Sequence, residues 1–163
     1  MAKTTIGKKW EDKFRLGWLD CFPKPRGWLY RLADQITGFK DTSGNPCDFL
    51  CHEDGKLFMV ECKEHKGASI PFQAIPQYAR LLEHKDYDNV YPGVLIWFSE
   101  KSTVIWVNIY EMEKMVKDGE KSIGLRMLNE GKYHILVLPS EIKRTYPKVD
   151  YEYLVREEAA YDR

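Results

Sequence analysis

The chain lacks several features that would assign it to a special class of protein. Its 163 residues have a formal net charge of zero at pH 7, because 25 Lys and Arg balance 25 Asp and Glu. Overall basicity therefore gives no argument for a nucleic-acid partner. No apolar run reaches the roughly 18 residues that a transmembrane helix requires. We expect no membrane partner.

The sequence also gives no indication of a signal peptide, an internal repeat or a flexible linker. The first residues, MAKTTIGKKW, contain cations without an apolar stretch behind them, so no signal peptide is predicted. There is no internal repeat, low-complexity tract or Gly/Ser-rich linker, and the length is within the usual range for one domain. The sequence predicts a single domain over residues 1–163 and a cytoplasmic location.

Cysteine is scarce, and its spacing does not indicate a structural metal. With no export signal, the four thiols are expected to be reduced. The paired spacing of a zinc site, C-x₂₋₄-C with H-x₃₋₅-H, is not present around His65. We expect the thiols to belong to the core. They are Cys21, Cys47, Cys51 and Cys62.

Hydrophobic periodicity and turn residues predict alternating helices and strands. In chain order the predicted elements are a helix in TTIGKKWEDKFRLGWLDC, a strand at WLYRL, a hairpin in PCDFLCHEDGKLFMVECKEHK, a helix at IPQYARLLEHK, a strand pair GVLIWF and TVIWVNI, a helix at YEMEKMVKDG and a strand at YHILVL. This order indicates a mixed α/β domain with a central sheet. The polar segment from about residue 140 leaves open whether it packs on the domain or lies at its periphery.

The hairpin, residues 46–66, places charged residues within the most strand-like part of the chain. Asp54 and Gly55 form the dipeptide that favours a two-residue turn with positive φ. With these residues at the tip, Glu53 faces Lys56. The register of the whole hairpin follows from this pairing.

In this register Asp48 lies opposite Glu61, and Lys63 is their diagonal neighbour on the same face. The other face is expected to be apolar, with Cys47, Phe49 and Cys51 opposite Cys62, Val60 and Phe58. A slip of one residue would send the two acids to different faces, so the geometry depends on the turn.

Two interpretations of these charges stay open on spacing alone. Opposed carboxylates destabilise a sheet unless positive charge lies between them, and a divalent cation would supply more of it than Lys63. Mg²⁺ takes oxygen ligands of this kind, as metal-assisted phosphodiester hydrolysis requires. The alternative is a solvent-facing hairpin with a surface salt bridge, which is common and contributes little.

Asp48 followed after a hairpin by Glu61-Cys62-Lys63 resembles the PD-(D/E)xK nuclease signature. The segments GKKWEDKF, YRLAD and ECKEHKGASIPF, and then a helix with Gln77, occur in the order seen in RecU-type Holliday junction resolvases. The similarity extends from about residue 6 to residue 82 and is strongest to the short forms of bacteriophages. A phage origin would make the location a bacterial host cytoplasm.

The resemblance implies a restriction-endonuclease-like fold, with a mixed central sheet flanked by helices. It also implies a homodimer that nicks two opposed strands of four-way junction DNA. Cleavage would depend on Mg²⁺, for which Mn²⁺ can substitute, and would need no small-molecule cofactor. Asp48 and Glu61 would be metal ligands, and Lys63 would stabilise the transition state. Gln77 and Glu11 would complete the metal site.

Candidate phosphate contacts are the cations near these segments. They are Arg31, Lys8, Lys9, Lys40 and Lys66. Each lysine alone is better explained as solvated surface, and Arg31 could equally pair with Asp34. Glu11 could form an i,i+4 pair with Arg15 or an i,i+3 pair with Lys8.

Departures from the family pattern keep other functions open. Pro46 stands two positions before the aspartate, where cellular members often have Thr. The loop TGFKDTSGN is short, whereas cellular members have a longer protruding stalk. A PD-(D/E)xK nuclease with another DNA substrate, such as a restriction or repair enzyme, is a second hypothesis. A catalytically silent DNA-binding module is a third.

Overall fold

The computed structural model describes residues 6–33 and 44–163, and of residues 6–8 only the backbone. Most of the predicted loop TGFKDTSGNP lies outside these residues. The helices are α1 (Ile6–Cys21), α2 (Tyr78–Leu82), α3 (Ile109–Lys117), α4 (Met127–Glu130) and α5 (Tyr151–Ala159). The strands are β1 (Gly27–Arg31), β2 (Phe49–Glu53), β3 (Lys56–His65), β4 (Ser69–Pro71), β5 (Val90–Phe98), β6 (Thr103–Asn108), β7 (Ser122–Gly124), β8 (Leu136–Val137), β9 (Ser140–Ile142) and β10 (Pro147–Val149).

The central sheet has the strand order β1-β2-β3-β5-β6-β8. β3 and β5 pair in parallel, and the other neighbours are antiparallel, so the sheet is mixed. Two small ribbons, β4 with β7 and β9 with β10, lie outside it. The prediction of a mixed α/β domain is confirmed.

The β2–β3 hairpin has the predicted turn and register. Asp54 and Gly55 have φ values of 44° and 75°, as a type I′ turn requires at both central positions. Glu53 pairs with Lys56, and the ladder continues to Phe49 opposite Val60. The turn chemistry therefore sets where the charged residues of β3 lie.

Side chains alternate across the sheet into two cores, as strand geometry requires. One core, here called the α1 core, contains Phe58 and Val60 of β3 together with residues of α1 and α5. The other, the α3 core, contains Met59 together with residues of α2, α3 and α4. Each face of the sheet is thus covered by helices.

α1 packs on the sheet through one apolar stripe. Trp10, Phe14 and Trp18 recur every four residues and are buried, which places them on one side of the helix. The helix ends at Cys21, just before the two prolines of FPKPRG, which cannot continue it. α1 then leads directly into the edge strand β1.

Two predicted elements are shorter than expected. The helix predicted for residues 75–85 is α-helical only over α2, because the N–H groups of His84 and Lys85 donate to carbonyls three residues back. The strand predicted at YHILVL is reduced to β8. The His134 N–H donates to the Glu111 side chain, and Pro139, which has no N–H, follows.

The segment from residue 140 is part of the domain. It forms β9, β10 and α5, and Asp150 caps α5 by accepting from the Glu152 N–H at 3.0 Å. Tyr151 and Leu154 of α5 are buried in the α1 core. The polar composition left open whether this segment is peripheral; the apolar minority of its helical residues lies on one face of α5, which packs in the α1 core.

The four cysteines are free thiols, as expected from their sequence context. Burial raises the pKa of the Cys47 thiol to about 12, so this thiol stays protonated at neutral pH. Within residues 6–33 and 44–163, no helix is both long and apolar enough to span a membrane.

Candidate active site

The site begins where β2 loses its regular pairing with β3. The Asp48 N–H donates to the carbonyl of Val60 at 3.1 Å, although Val60 already pairs with Phe49. Two residues of one strand thus face one residue of the other, which is the arrangement of a β-bulge. At the next position of the β2–β3 ladder, the acceptor is the Asp48 carboxylate, which accepts a hydrogen bond from the Cys62 N–H at 2.9 Å.

The bulge corrects one sequence prediction. Cys47 was expected on the same face as Phe49, but it is buried in the α3 core, on the opposite face. The extra residue reverses the alternation of side chains before Phe49. Cys51 and Cys62, after the bulge and on β3, lie in the α1 core as predicted.

Glu61 is buried in the middle of β3, with 2% of its surface exposed. Its Oε1 accepts an ion-pair contact from the Lys63 Nζ at 3.0 Å, whereas its Oε2 is buried without a hydrogen-bond partner. The interpretation as a solvent-facing salt bridge is therefore wrong. Burial, and then the charge of Asp48, raise the pKa of Glu61 to about 7.

Asp48 shares this environment. Burial raises the pKa of its carboxyl to about 6, although the hydrogen bond from the Cys62 N–H opposes the rise. The charge of Glu11 raises it further, and the charges of Lys63 and Arg31 lower it. Two carboxyl groups with raised pKa values thus lie beside one lysine, and perturbed pKa values of this kind are frequent at functional sites.

Gln77 reaches the same place from the helical side. It is the N-cap residue of α2, but its side chain makes no cap hydrogen bond. Its Oε1 is buried without a partner. A cavity of about 260 Å³ is lined by Asp48, Glu61 and Gln77, together with Leu32, Gly44, Asn45 and Cys47.

Glu11 approaches the site from α1. Its Oε2 accepts from the Arg31 Nε at 2.9 Å and lies 2.8 Å from the second Arg31 nitrogen. The pair joins α1 to the end of β1, beside Asp48. The alternative explanation of Glu11, a local pair along α1 with Arg15, is replaced by this contact to β1.

The donor set fits a hard cation. Asp48, Glu61 and Gln77 present oxygens to one cavity, and two of these oxygens have no other partner. Mg²⁺ takes one or two protein carboxylates and fills its remaining positions with water and substrate oxygens. No cluster of three or more His, Cys, Asp or Glu side chains is placed to hold a metal in the part of the chain that the structure describes.

The candidate phosphate contacts have different environments. Lys9 and Lys66 are exposed, and both charges oppose the rise in the pKa of Glu64 that burial causes. The side chain of Lys8 and all of Lys40 lie outside the described residues. Arg31 is engaged with Glu11.

Sequence reasoning missed the backbone contribution to the site. The Cys62 N–H orients the Asp48 carboxylate, and the bulge that permits this contact leaves no residue-type signal. It also missed the link between Glu11 and Arg31, since residues 20 positions apart show no periodic relation. Both are consequences of the tertiary fold.

Comparison with solved structures finds a similar fold in Hjc, a Holliday junction resolvase from Archaeoglobus fulgidus, an archaeal hyperthermophile. The two chains share 15% sequence identity with a TM-score of 0.53. The match covers 74% of this chain and 89% of that chain. No family model and no curated protein matches this sequence. The predicted fold class, a restriction-endonuclease-like mixed sheet flanked by helices, is confirmed.

Proposed function

We propose that this chain is a Mg²⁺-dependent, structure-selective DNA endonuclease that resolves four-way junctions by paired symmetric nicks. One observation carries the proposal: Glu61 Oε2 and Gln77 Oε1 are both buried without partners in the cavity that Asp48 lines. Buried polar atoms are normally satisfied, and two unpartnered oxygens that line one cavity support a cation bound between them. The fold of a Holliday junction resolvase supports the choice of substrate.

The ligands assigned to the ion are Asp48, Glu61 and Gln77. The bound ion would neutralise charge on the scissile phosphate and lower the pKa of a water molecule. The Cys62 N–H holds the Asp48 carboxylate in place, and burial in β3 fixes Glu61. Rigid placement matters because catalytic groups must keep their positions within a fraction of an ångström.

Lys63 is assigned to charge stabilisation. Its ammonium lies 3.0 Å from Glu61 Oε1 and is 21% exposed, so it can face both the carboxylate and a bound phosphate. A positive charge in a partly desolvated site stabilises the negative charge that develops in the transition state. Glu11 completes the site by holding Arg31 beside Asp48.

The cations around the cavity supply the DNA contacts in this proposal. Arg31, Lys9 and Lys66 are assigned to phosphates near the scissile bond, together with Lys8 and Lys40. Symmetric nicking of two opposed strands needs two active sites, so the active form is assigned as a homodimer. Sedimentation that finds only monomers, both free and on junction DNA, would contradict this assignment.

The substrate is tested by direct comparison of DNA forms. Purified protein with Mg²⁺ is expected to cut a synthetic four-way junction at symmetric positions, and much faster than a linear duplex of the same sequence. Equal cutting of both forms would indicate a PD-(D/E)xK nuclease with another DNA substrate. Binding without any cutting would indicate a silent DNA-binding module.

The role of Asp48 is tested with Asp48→Asn. This substitution removes a charged metal ligand without adding bulk, and the amide can keep an oxygen toward the Cys62 N–H. We expect cleavage to be abolished while the affinity for junction DNA, measured in Mg²⁺-free buffer, is retained. Retained cleavage would remove Asp48 from the site.

A further inference from the structure

Three aromatic side chains form a patch at the edge of the central sheet. Trp28 and Tyr30 belong to the edge strand β1, and His52 lies opposite Trp28 on β2. The rings of Trp28 and His52 are stacked, with centroids 5.3 Å apart and an interplanar angle of 6°. The Tyr30 ring meets that of Trp28 edge to face, with centroids 5.8 Å apart. We call these three residues the aromatic patch.

The aromatic patch is open to solvent in the part of the chain that the structure describes. Tyr30 is 69% exposed and Trp28 is 38% exposed, although rings of this size gain most when they are buried. On the same face of the sheet, α2 packs on β5 and α3 packs on β5 and β6, which lie on the far side of β3 from β1. Core packing therefore does not account for the two rings, and one or more of their faces can meet a partner.

The strand registers place the aromatic patch on the same face of the sheet as the candidate site. Tyr30 pairs with Leu50 of β2, and Leu50 pairs with Met59 of β3. Met59 is buried in the α3 core, and it is two residues from Glu61, so both side chains lie on one face. At 3.3 Å per residue, the row that contains Tyr30 is about 7 Å along the strands from Glu61.

The edge of the sheet gives the same order of residues. The Leu32 N–H donates to the Asp48 carbonyl at 2.8 Å, and Leu32 lines the cavity together with Asp48 and Glu61. Tyr30 is two residues before Leu32 along the chain, and Trp28 is four residues before it. The aromatic patch thus continues from one wall of the cavity, over a span of about 7 to 13 Å along β1.

The chemistry of the aromatic patch fits a nucleobase and not a phosphate. Its neighbours on this face of β2 and β3, before Glu61 is reached, are the uncharged residues Leu50, Leu57 and Met59. Aromatic side chains stack on the flat faces of bases whatever the sequence. In a linear duplex each base is already covered by its neighbours, so a side chain can stack only on a base that has left the stack. Extrusion costs least where a base is already unpaired.

We propose that Tyr30, supported by Trp28 and His52, stacks on an unpaired or frayed base of the DNA substrate within about four nucleotides of the scissile phosphate. The span of about 7 to 13 Å corresponds to about two to four nucleotides at the 3.4 Å spacing of one strand. The inference rests on the proposed function, since it assigns a second contact to the same substrate. It makes Tyr30 a determinant of selectivity for branched DNA over linear duplex.

The affinity of Tyr30→Ala for DNA tests the stacking contact. Binding to a labelled four-way junction, measured by equilibrium anisotropy in Mg²⁺-free buffer, is expected to weaken by about tenfold. The slope of log K against log [salt] should stay unchanged, because no phosphate contact is lost. Tyr30→Phe keeps the ring and should bind within about twofold of the unsubstituted protein. Unchanged affinity in Tyr30→Ala, or a slope that becomes less steep, would overturn the proposal.

A second exposed tyrosine serves as the matched control. Tyr87 is 61% exposed and precedes β5, which is three strand spacings, or about 14 Å, from β1. Tyr87→Ala is expected to leave the affinity for the junction within about twofold of the unsubstituted protein. Sedimentation of Tyr30→Ala without DNA tests a different occupant of the aromatic patch. If this substitution converts a dimer to monomers, the patch is an interface between copies of the chain and the proposal is wrong.

An abasic scan of the DNA tests for the base itself. Single abasic nucleotides, which keep the phosphates, are placed at each position of each strand in turn around the exchange point of the junction. At one or more positions the loss of the base is expected to weaken binding by the unsubstituted protein. At those positions Tyr30→Ala should weaken it little further, because both changes remove one contact.

The outcomes of the scan separate this proposal from the proposed function. Independent, additive losses at every position would overturn the stacking contact, and junction cleavage by the same protein would leave the proposed nuclease intact. Non-additive losses in a protein that does not cleave the junction with Mg²⁺ would instead overturn the proposed function and retain the contact between Tyr30 and a base.

Discussion

Two clusters of buried carboxylates in this protein differ in how their oxygens are satisfied. The site cluster contains Asp48 and Glu61 with Gln77. The C-terminal cluster contains Glu111 and Glu158. In the site cluster, one Glu61 oxygen and the Gln77 oxygen have no partner, whereas the described structure records no such atom for Glu111 or Glu158.

The C-terminal cluster joins the end of α5 to the sheet. Glu158 Oε2 accepts from the Trp106 Nε1 at 2.8 Å. Glu111 accepts from the Tyr161 hydroxyl at 2.7 Å and from the His134 N–H at 3.0 Å. The Trp106 ring fits because residue 93 is glycine, since a Cβ there would overlap the ring.

The comparison separates the carboxylate proposed to bind a metal from one that is tied into the fold. Burial raises the pKa of Glu61 and of Glu158 to about 7 in each case, so a raised pKa does not separate them. Satisfied oxygens indicate a carboxylate that stabilises the fold. Unsatisfied oxygens beside a cavity, as at Glu61, are those that the proposed ion would occupy.

The largest expected difference between the clusters is in DNA cleavage. Glu61→Gln removes a charged ligand of the proposed ion, whose charge stabilisation would amount to several kcal/mol, so cleavage should fall by roughly 10³-fold or more. Glu158→Gln keeps an acceptor for Trp106 and should stay within about threefold of the unsubstituted protein. Single-turnover cleavage of a four-way junction at saturating Mg²⁺ measures both. Similar losses of cleavage in the two variants would contradict the distinction between the site cluster and the C-terminal cluster.

The second prediction concerns pH and the C-terminal cluster. The folded pKa of Glu158, about 7, exceeds its ordinary value of 4.5. The folded state therefore keeps a proton that the unfolded state has released, so the free energy of unfolding should fall as pH rises from 4.5 to about 7. The loss attributable to this group is about 3 kcal/mol at most. Urea denaturation at fixed pH steps measures it.

The groups that face Glu158 set the size of this effect. Burial is the main cause of the raised pKa; hydrogen bonds with Trp106 and Asn108 and the charge of Arg163 oppose it, and the charge of Glu111 adds to it. Tyr161 also lies in this cluster. In Glu158→Gln the free energy of unfolding should depend less on pH between pH 4.5 and 7. An identical pH profile would show that Glu158 is not the group responsible.

The third prediction compares the structural roles of the carboxylates. Glu158→Ala leaves the Trp106 Nε1 buried without an acceptor, which should reduce the free energy of unfolding by about 2 kcal/mol. For a chain of this size the Tm should fall by about 4–8 °C. Glu157→Ala, at the preceding position of α5, changes a carboxylate whose ion pair among the described residues is with Arg156, and it should have almost no effect.

The order and register of the main elements were predictable because local rules determine them. The Asp54-Gly55 turn fixed the β2–β3 register, and the prolines after Cys21 placed the end of α1. The role of residues 140–163 was not predictable in the same way. Only five of the residues after Ser140 are buried apolar or aromatic anchors, and their common packing is recognisable once the α1 core is known. They are Pro147, Val149, Tyr151, Leu154 and Val155.

The residues of the candidate site were predictable from the sequence. Which of their oxygens would lack a hydrogen-bond partner was not. Asp48, Glu61 and Lys63 were identified from register and resemblance, and they lie together as expected. The bulge at Asp48 is a backbone event that no residue type signals. The unpartnered oxygens of Glu61 and Gln77 depend on two elements meeting across the α3 face, which is a property of tertiary packing.

The smallest expected difference is in the response of stability to Mg²⁺, and it needs no DNA. An ion that binds only the folded state stabilises it by RT ln(1 + [L]/Kd), which is about 1.4 kcal/mol at ten times Kd and should raise the Tm by about 3–5 °C. Glu158→Gln should retain this rise, and Glu61→Gln should lose it. Scanning calorimetry with NaCl at matched ionic strength separates binding from charge screening. A rise of equal size in Glu61→Gln would place the ion elsewhere and leave the unpartnered oxygens without a ligand to explain them.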